Sequence, residues 1–499
     1  MFTVREIKTG SGKTAVQVVL RRYHQTEIIK HVGTGNNLEE ISRLKILAHQ
    51  FIREKEGLIP LFSDFGEENK NDLVLTSNLE IVGYKHTFAY DYLLKFYCLN
   101  GFDQIDSEIL KDLCLIRIVE PVSKRQSLLL LNEYFGKNHS LSILYKTVGK
   151  LAAFKDQAEQ LAVSYAKNQL NFDFSMVFYD VTTLYFETFD SDPDTGEIKG
   201  LRKCGFSKEN KSNQPQILIA LIVNGDGYPI ATNVFEGNTF EGHTFIPTIL
   251  ALKEKYEINN LTVVADAAML SRDNMDQLNK NGLGYIVGAR LSNLKQGLAE
   301  KISAEIGGVT EKYFRTKIQQ NGLGYLICDF SPLRALKDKS DRKKQLIKAQ
   351  NQINNPARFL KRSRFVTEET KSVFRLNEEL IKQDELLDGI KGYYTNLESL
   401  DSQLIVSRYH DLWKIEKAFR IAKSDLLARP IFHRKKENIQ AHVLIVFLAL
   451  CVAKSIELKT GLSVGKIKEN IWKVLDVEFK DKLTGKTFIK QTPAPILEY

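Results

Sequence analysis

Between residues 176 and 289 the apolar segments follow one another in an order that few folds accommodate. Strands are expected at 176–187 ("MVFYDVTTLYFE"), 216–224 ("QILIALIVN") and 229–235 ("PIATNVF"). A helix follows at 243–256, then a strand at 261–266 ("LTVVAD"), a helix at 271–280 and a strand at 284–289. Three strands in succession, then strands alternating with helices, imply a mixed α/β sheet with helices on its faces. The first strand is rich in β-branched and aromatic residues and reads as buried on both faces, yet Asp180 sits in its middle. An unpaired charge there costs roughly several kcal/mol, so Asp180 needs a partner or a chemical task.

A second carboxylate repeats the anomaly. Asp266 ends the apolar run "LTVVAD", and ligands gather outside the carboxyl ends of such strands. A third comes from a predicted long helix over 399–427. In "RYHDLWKIEKAFRIAKSDL", Tyr409, Glu416 and Lys423 recur at intervals of seven, so a straight helix carries all three on one face. Ile405, Leu412 and Phe419 mark the adjoining apolar stripe, which turns Glu416 toward the sheet. Two Asp and one Glu from separated segments suit Mg²⁺, an oxygen-seeking ion, with Mn²⁺ able to substitute. Two such ions, ~3.5–4 Å apart, clamp the attacking and leaving oxygens of an in-line phosphodiester displacement. Tyr409 and Lys423 would then contact phosphate.

The charge distribution points the same way. Of the 499-residue chain's net +9, the segment 332–365 carries eleven basic residues against two acidic ones, itself a net of +9. Arg358, Lys361, Arg362 and Arg364 close that block, which has the electrostatic footprint of a polyanion partner. The five cysteines fall in no CxxC pair, which suits a reducing cytoplasm and excludes a disulfide framework. No signal-peptide pattern is read at the start, and the apolar run 443–453, 11 residues long, is too short to span a bilayer. It is expected to be a core helix, with no membrane partner.

Six segments are expected. An α+β segment over 1–87 contains a hairpin turning at "GSG" and a helix opened by Asn37 and Glu40 as a capping box. A helical domain over 88–170 is a further candidate for contact with that polyanion. The α/β core fills 171–290 and, after a β-rich basic insertion over 291–390, resumes at 391–455. A helical tail over 456–499 ends in a frayed "TPAPILEY". Three local signals are decoys. "GSGKT" (10–14) lacks the upstream glycine of a phosphate-binding loop, since residue 7 is Ile. "DSDPDTG" (190–196) has Leu201 where a calcium loop needs glutamate, and "NGLGY" (281–285 and 321–325) marks turns.

With these residues in view, the chain resembles the bacterial insertion-sequence transposases of the DDE type, whose catalytic core is ribonuclease H-like. The ordered blocks include "RIVEPVSKRQSLLLLNEYFG", "FYDVTTLYFE", "GYPIATNVFEGNTFEGHTF", "VVADAAMLS" and "YHDLWKIEKAFRIAKSDLLARPIFHRKKENIQAHVLIVFLAL". The resemblance implies a ribonuclease H-like core interrupted by an insertion, with the Asp-Asp-Glu triad on Asp180, Asp266 and Glu416. It implies two Mg²⁺ ions per site, cleavage and strand transfer at the element's own terminal inverted repeats, target DNA as second partner, and a homodimer when two ends are paired. The family's Tyr-x2-Arg-x3-Glu-x6-Lys signature falls on Tyr409, Glu416 and Lys423, but its Arg slot is Leu412, so that phosphate contact is either missing or moved to Lys414 or Arg420. A nuclease or resolvase that cuts without joining, and a DNA-binding regulator with a decayed site, are the alternatives.

Overall fold

The computed structural model describes residues 2–10, 12–22, 25–56, 79–194, 200–206, 211, 213–269, 271–294, 296–306, 315–320, 324–355, 363–370, 373–482 and 485–492. The chain divides into two compact units, residues 1–86 with 474–493 and residues 87–473 with 494–499. In the first unit, β1 (Phe2–Lys8), β2 (Thr14–Arg22) and β3 (Gln25–Gly35) form an antiparallel sheet, covered by α1 (Leu38–Glu56). Val16, Val18, Ala48 and Ile52 make its small core. The Asn37 side chain accepts from Glu40 N at 2.8 Å and opens α1 as the capping pattern predicts. β4 (Leu79–Lys85) belongs to this unit as well.

The second unit begins with α2 (Thr87–Leu99), α3 (Glu108–Val119), α4 (Lys124–Phe135), α5 (Leu141–Thr147) and α6 (Lys155–Leu170). The core strands and helices then come in the expected order: β5 (Met176–Tyr185), β6 (Gln216–Val223), β7 (Pro229–Glu236), α7 (Glu241–Lys255), β8 (Thr262–Ala265), α8 (Arg272–Lys280) and β9 (Gly284–Ala289). The sheet order β9-β8-β5-β6-β7, with β5 parallel to β8, β8 parallel to β9 and the two hairpin partners antiparallel, is that of ribonuclease H. The helices α2 and α3 are not separate from this sheet. Their buried residues belong to the same continuous core, bridged by the long apolar helix near the C-terminus.

The insertion differs from the β-rich expectation. After β9 come α9 (Gln296–Ile306), β10 (Arg315–Gln320), β11 (Gly324–Phe330), α10 (Pro332–Asn354), β12 (Val366–Thr370), β13 (Val373–Leu376) and α11 (Glu378–Leu386). The chain then returns in β14 (Ile390–Thr395), and β14, β11 and β10 widen the central sheet to eight strands. The basic block lies largely on α10, a 23-residue helix with Pro332 in its first turn, so charge rather than strand pairing governs this segment.

The single helix expected at 399–427 is three pieces: α12 (Ser402–His410), α13 (Trp413–Arg420) and a π-helical turn, Ile421–Asp425. Between α12 and α13 the bonds tighten to the i→i+3 pattern, with Leu412 N on Tyr409 O at 3.1 Å and Lys414 N on Asp411 O at 2.9 Å. The seven-residue phase therefore does not carry through. α14 (Lys436–Thr460) is long and apolar enough to cross a membrane, but its run Val443 to Ala453 is buried against the core. α15 (Val464–Trp472) follows. The tail is not wholly helical: β15 (Asp476–Asp481) pairs with β4 and with β16 (Thr487–Gln491), its alternating "VEFKD" favouring a strand over a helix. The terminal "TPAPILEY" lies almost entirely outside the described residues.

Candidate active site

The two faces of β5 have different neighbours. Tyr179 points toward α7, its hydroxyl 2.6 Å from Thr244 Oγ1 and its ring 5.0 Å from that of Phe245. Alternation sends Asp180, Thr182 and Leu184 to the other face, where Thr182 and Leu184 line a small cavity with Phe419, Ala422 and Lys423. α13 and the π turn therefore lie over the Asp180 face. α13 buries Ile415, Ala418 and Phe419 against the sheet and leaves Glu416 exposed.

The strand register brings the two aspartates together. Tyr179 pairs with Ala265 at the end of the parallel β5–β8 ladder, so Asp180 and Asp266 are the next residues along the two neighbouring segments, Asp266 just past the end of β8. Both are half-buried. Asp266 also holds its turn, accepting from Ala268 N at 2.8 Å.

Tyr409 links the aspartates to the glutamate. Burial pushes its hydroxyl up to about 12, and the carboxylates of Asp266, Glu416 and Asp180, in that order, add to the shift. All three thus stand within electrostatic reach of one phenol. They do not form a closed cage: among the described residues no three His, Cys, Asp or Glu side chains are gathered so as to hold a metal ion. The donor set is nonetheless carboxylate only, open to solvent on the Glu416 side, and fits a hard divalent cation such as Mg²⁺.

Beside Tyr409 a cleft of about 480 Å³ opens, lined by Ala267, Gly288, Arg334, Arg364 and Lys391 among others. The Tyr393 ring lies tilted against that of Tyr409, their centroids 4.6 Å apart, and its hydroxyl donates to Asp329 Oδ1 at 2.9 Å. Lys391 is held below the ordinary lysine range by burial and by Arg334, while Asp329 and Glu416 act in the opposite sense. Arg334 and Lys391 are therefore the cations that stand near the carboxylates. Arg334 belongs to the basic block 332–365 read from the sequence, whereas Lys391 was missed. The one available signal was the alternation of "IKGYYT", which puts Lys391 and Tyr393 on the same side of β14.

Of the other sequence candidates, Arg364 lines this cleft and the rest disperse. Lys414 donates to Gly225 O at 2.6 Å and pairs with Asp411 at 3.2 Å, which ties it to the β6–β7 turn. Arg420 is exposed and acts on Asp425. Leu412, in the signature Arg slot, is buried in the core. Arg364 pairs with Asp384 and lies over the Phe365 ring, 5.1 Å from its centroid. Arg358, Lys361 and Arg362 lie outside the described residues.

No curated protein matches the chain. Among solved structures, a piggyBac transposase synaptic complex with hairpin DNA is similar at 10% identity, over 78% of this chain and 70% of that one, with a TM-score of 0.37. A Mos1 transposase paired-end complex with left transposon end is similar at 17% identity, over 48% of this chain and 66% of that one, with a TM-score of 0.16. Both likenesses are distant. The family match is the informative one: residues 175–452 match the transposase DDE domain, which takes in β5 with Asp180, β8 with the adjacent Asp266, and α13 with Glu416. Covering more than half of the 499 residues, that match establishes that the chain belongs to the transposase DDE domain family.

Proposed function

We propose that this DDE transposase cuts DNA at the terminal inverted repeats of its own insertion sequence and joins the freed ends to target DNA. Asp180, Asp266 and Glu416 would hold two Mg²⁺ ions, or Mn²⁺ in their place. The observation that carries the reading is the Tyr179–Ala265 pairing, which sets Asp180 and Asp266 one residue further along neighbouring segments, with Tyr409 in electrostatic reach of both and of Glu416. Bound Mg²⁺ supplies Lewis-acid stabilisation of the charge that develops on the phosphoryl oxygens.

The chain's own groups have separable tasks. Tyr409, whose proton is held up to about 12, remains a hydroxyl donor at neutral pH and can hydrogen-bond a phosphate oxygen. Lys391 and Arg334 offset the phosphodiester charge in the cleft. In the first displacement a water oxygen bonds to phosphorus and the 3′ oxygen leaves, taking up a proton. In the second, that 3′-OH bonds to a target phosphorus and the target's own 3′ oxygen leaves. Pairing two ends requires at least two copies, so the working species is a homodimer or larger.

The test is cleavage of a duplex bearing the inverted repeats that flank the gene, with Mg²⁺, by wild type and Asp180→Asn. Cleavage by wild type alone, with DNA binding retained in both, supports the reading. Equal cleavage by both proteins overturns it.

A further inference from the structure

A second cationic pocket lies apart from the carboxylates. It is a cavity of about 330 Å³ between the start of α4, α5 and the segment 427–442. Lys124, 8% exposed, donates to His433 Nε2 at 2.8 Å and His442 Nδ1 at 3.0 Å. His442 Nε2 lies 2.9 Å from Ala428 O and donates there, which leaves its Nδ1 as an acceptor and the ring neutral. Arg117, 6% exposed, donates to Leu427 O at 2.6 Å, and its Nε has no hydrogen-bond partner among the described residues. Arg125 and Arg429 also line the cavity, and no carboxylate does among the described residues.

Buried charges are ordinarily paired, because each costs several kcal/mol when desolvated alone. Here two buried cations, Arg117 and Lys124, face one cavity, and Lys124 has neutral imidazoles as its neighbours. The helix α4 adds its N-terminus, whose cap Ser123 lines the same cavity. The missing charge belongs to a ligand. At the mouth stand two exposed aromatic rings, Tyr145 at 66% and Phe432 at 69% exposure. Flat exposed rings beside a cationic pocket suit a base stacked next to its phosphate.

We propose that the pocket of Arg117, Lys124 and Arg429 is a phosphate-binding site, which takes one phosphate group of a DNA strand with the adjoining base against Tyr145 and Phe432. That the phosphate belongs to DNA rests on the transposase reading. That the pocket binds an anion rests on its own geometry. The segment forming it is fixed to the active strand, for Ile431 N donates to Tyr185 O at 3.2 Å. Tyr185 is five residues beyond Asp180 on β5, about 17 Å at 3.4 Å per residue. The segment that forms the pocket is thus anchored at the far end of the strand that carries Asp180.

The experiment is thermal unfolding of the full chain in sodium phosphate against sodium chloride at equal ionic strength. Wild type and Asp180→Asn, which spares the pocket, should both show a phosphate-dependent rise in Tm. Lys124→Met should lose that response, and without phosphate should unfold at the same temperature as wild type or higher, because it removes an unbalanced buried charge. Should Lys124→Met not fold, Arg429→Gln serves in its place, with a reduced phosphate response expected. Binding of a single-stranded oligonucleotide should weaken about tenfold or more in the variant, the worth of one charge-assisted hydrogen bond. Tighter binding of the 5′-phosphorylated strand assigns the pocket to a strand end, and equal binding assigns it to a backbone diester. Phe432→Ala should weaken the oligonucleotide while leaving inorganic phosphate unaffected. No phosphate response in wild type, or an undiminished response in the charge-removed variant, overturns the proposal.

Discussion

The ring end of Tyr409 fills the space that a β-carbon on Gly288 would need. A Cβ there would lie 3.1 Å from Tyr409 Cζ, closer still to its hydroxyl, and 3.2 Å from Ala267 N. β9 thus carries a bare backbone at the one point where the phenol reaches the two aspartates. The glycine is required by the approach of a side chain and not by an unusual backbone angle.

Gly288→Ala should therefore displace Tyr409 rather than break β9. The expected cost is about 1–3 kcal/mol, the usual range for overpacking. DNA cleavage should fall at the same time. Tyr409→Phe should fold normally and lose about ten- to a hundredfold in cleavage, in line with one charge-assisted hydrogen bond. In the double variant the loss of stability should shrink, since the hydroxyl makes the closest approach. A urea-unfolding cycle on the four proteins, with cleavage rates alongside, checks the coupling. Fully additive stability losses would show that the two positions do not meet.

Asp180→Asn and Asp266→Asn remove one member each of a neighbouring carboxylate pair. Without metal, each should unfold at or slightly above the wild-type temperature, because like charges no longer face each other. With Mg²⁺, wild type should gain stability and the variants should not. Cleavage should fall by at least roughly a thousandfold, the equivalent of about 4 kcal/mol of lost charge stabilisation. Chelation of divalent ions should bring wild type down to the same level. Calorimetry with and without Mg²⁺ provides the binding half of the test, independent of turnover.

The basic helix α10 should set the salt dependence of DNA binding. Lys337 and Lys348 are exposed on one side of α10 and Lys339 and Lys343 on the opposite side, while Arg342 is buried and bound to Asp388, with one contact at 2.7 Å. Changing the four lysines to Gln should reduce the slope of log K against log salt by up to about 3.6, at roughly 0.9 per phosphate contact. Arg342→Gln should instead lower stability and leave the slope alone. An unchanged slope in the fourfold variant would make this helix a solvated surface.

Much of this arrangement is legible from residue order, because it depends on alternation and connection. The period-two pattern of "MVFYDVTTLYF" already separates Tyr179 from Asp180 by face, and the order of strands and helices from 176 to 289 leaves little choice of sheet. What stays hidden depends on single hydrogen bonds or on distant partners. Leu412 suits a helix interior and a single weak helix former such as Asp411 is common within one, so the pattern does not announce the tightened turn that separates Tyr409 from Glu416 in phase. Lys391 sits on a strand that joins the sheet a hundred residues after β9, and its place near Glu416 exists only once β14 pairs with β9. The helix α10 did carry its own signals, Ser331 before Pro332, but a run of charge reads equally as loop. The pocket around Lys124 gave no local sign, since its walls are drawn from three separated segments.

That pocket also makes acid sensitivity predictable. Burial first, then the cations of Lys124 and Arg117, push His433 down to about 4 from the ordinary 6.5, and the same causes hold His442 well below its usual range. In the folded protein both rings stay neutral through a pH range where the unfolded chain takes up their protons. Stability contributed by these rings is therefore complete above pH 6.5 and is lost as the pH falls toward 4. Burial and Arg117 likewise disfavour the ammonium of Lys124, a cost that an anion in the pocket would offset. His433→Gln keeps an acceptor for Lys124 but removes one titrating group, so its unfolding midpoint should fall less steeply with acid than that of wild type. Urea midpoints at several pH values between 7 and 4.5 measure the two slopes. A wild-type midpoint that rises on acidification would mean the rings are protonated in the fold, and with them the neutral acceptors assigned to Lys124 would be lost.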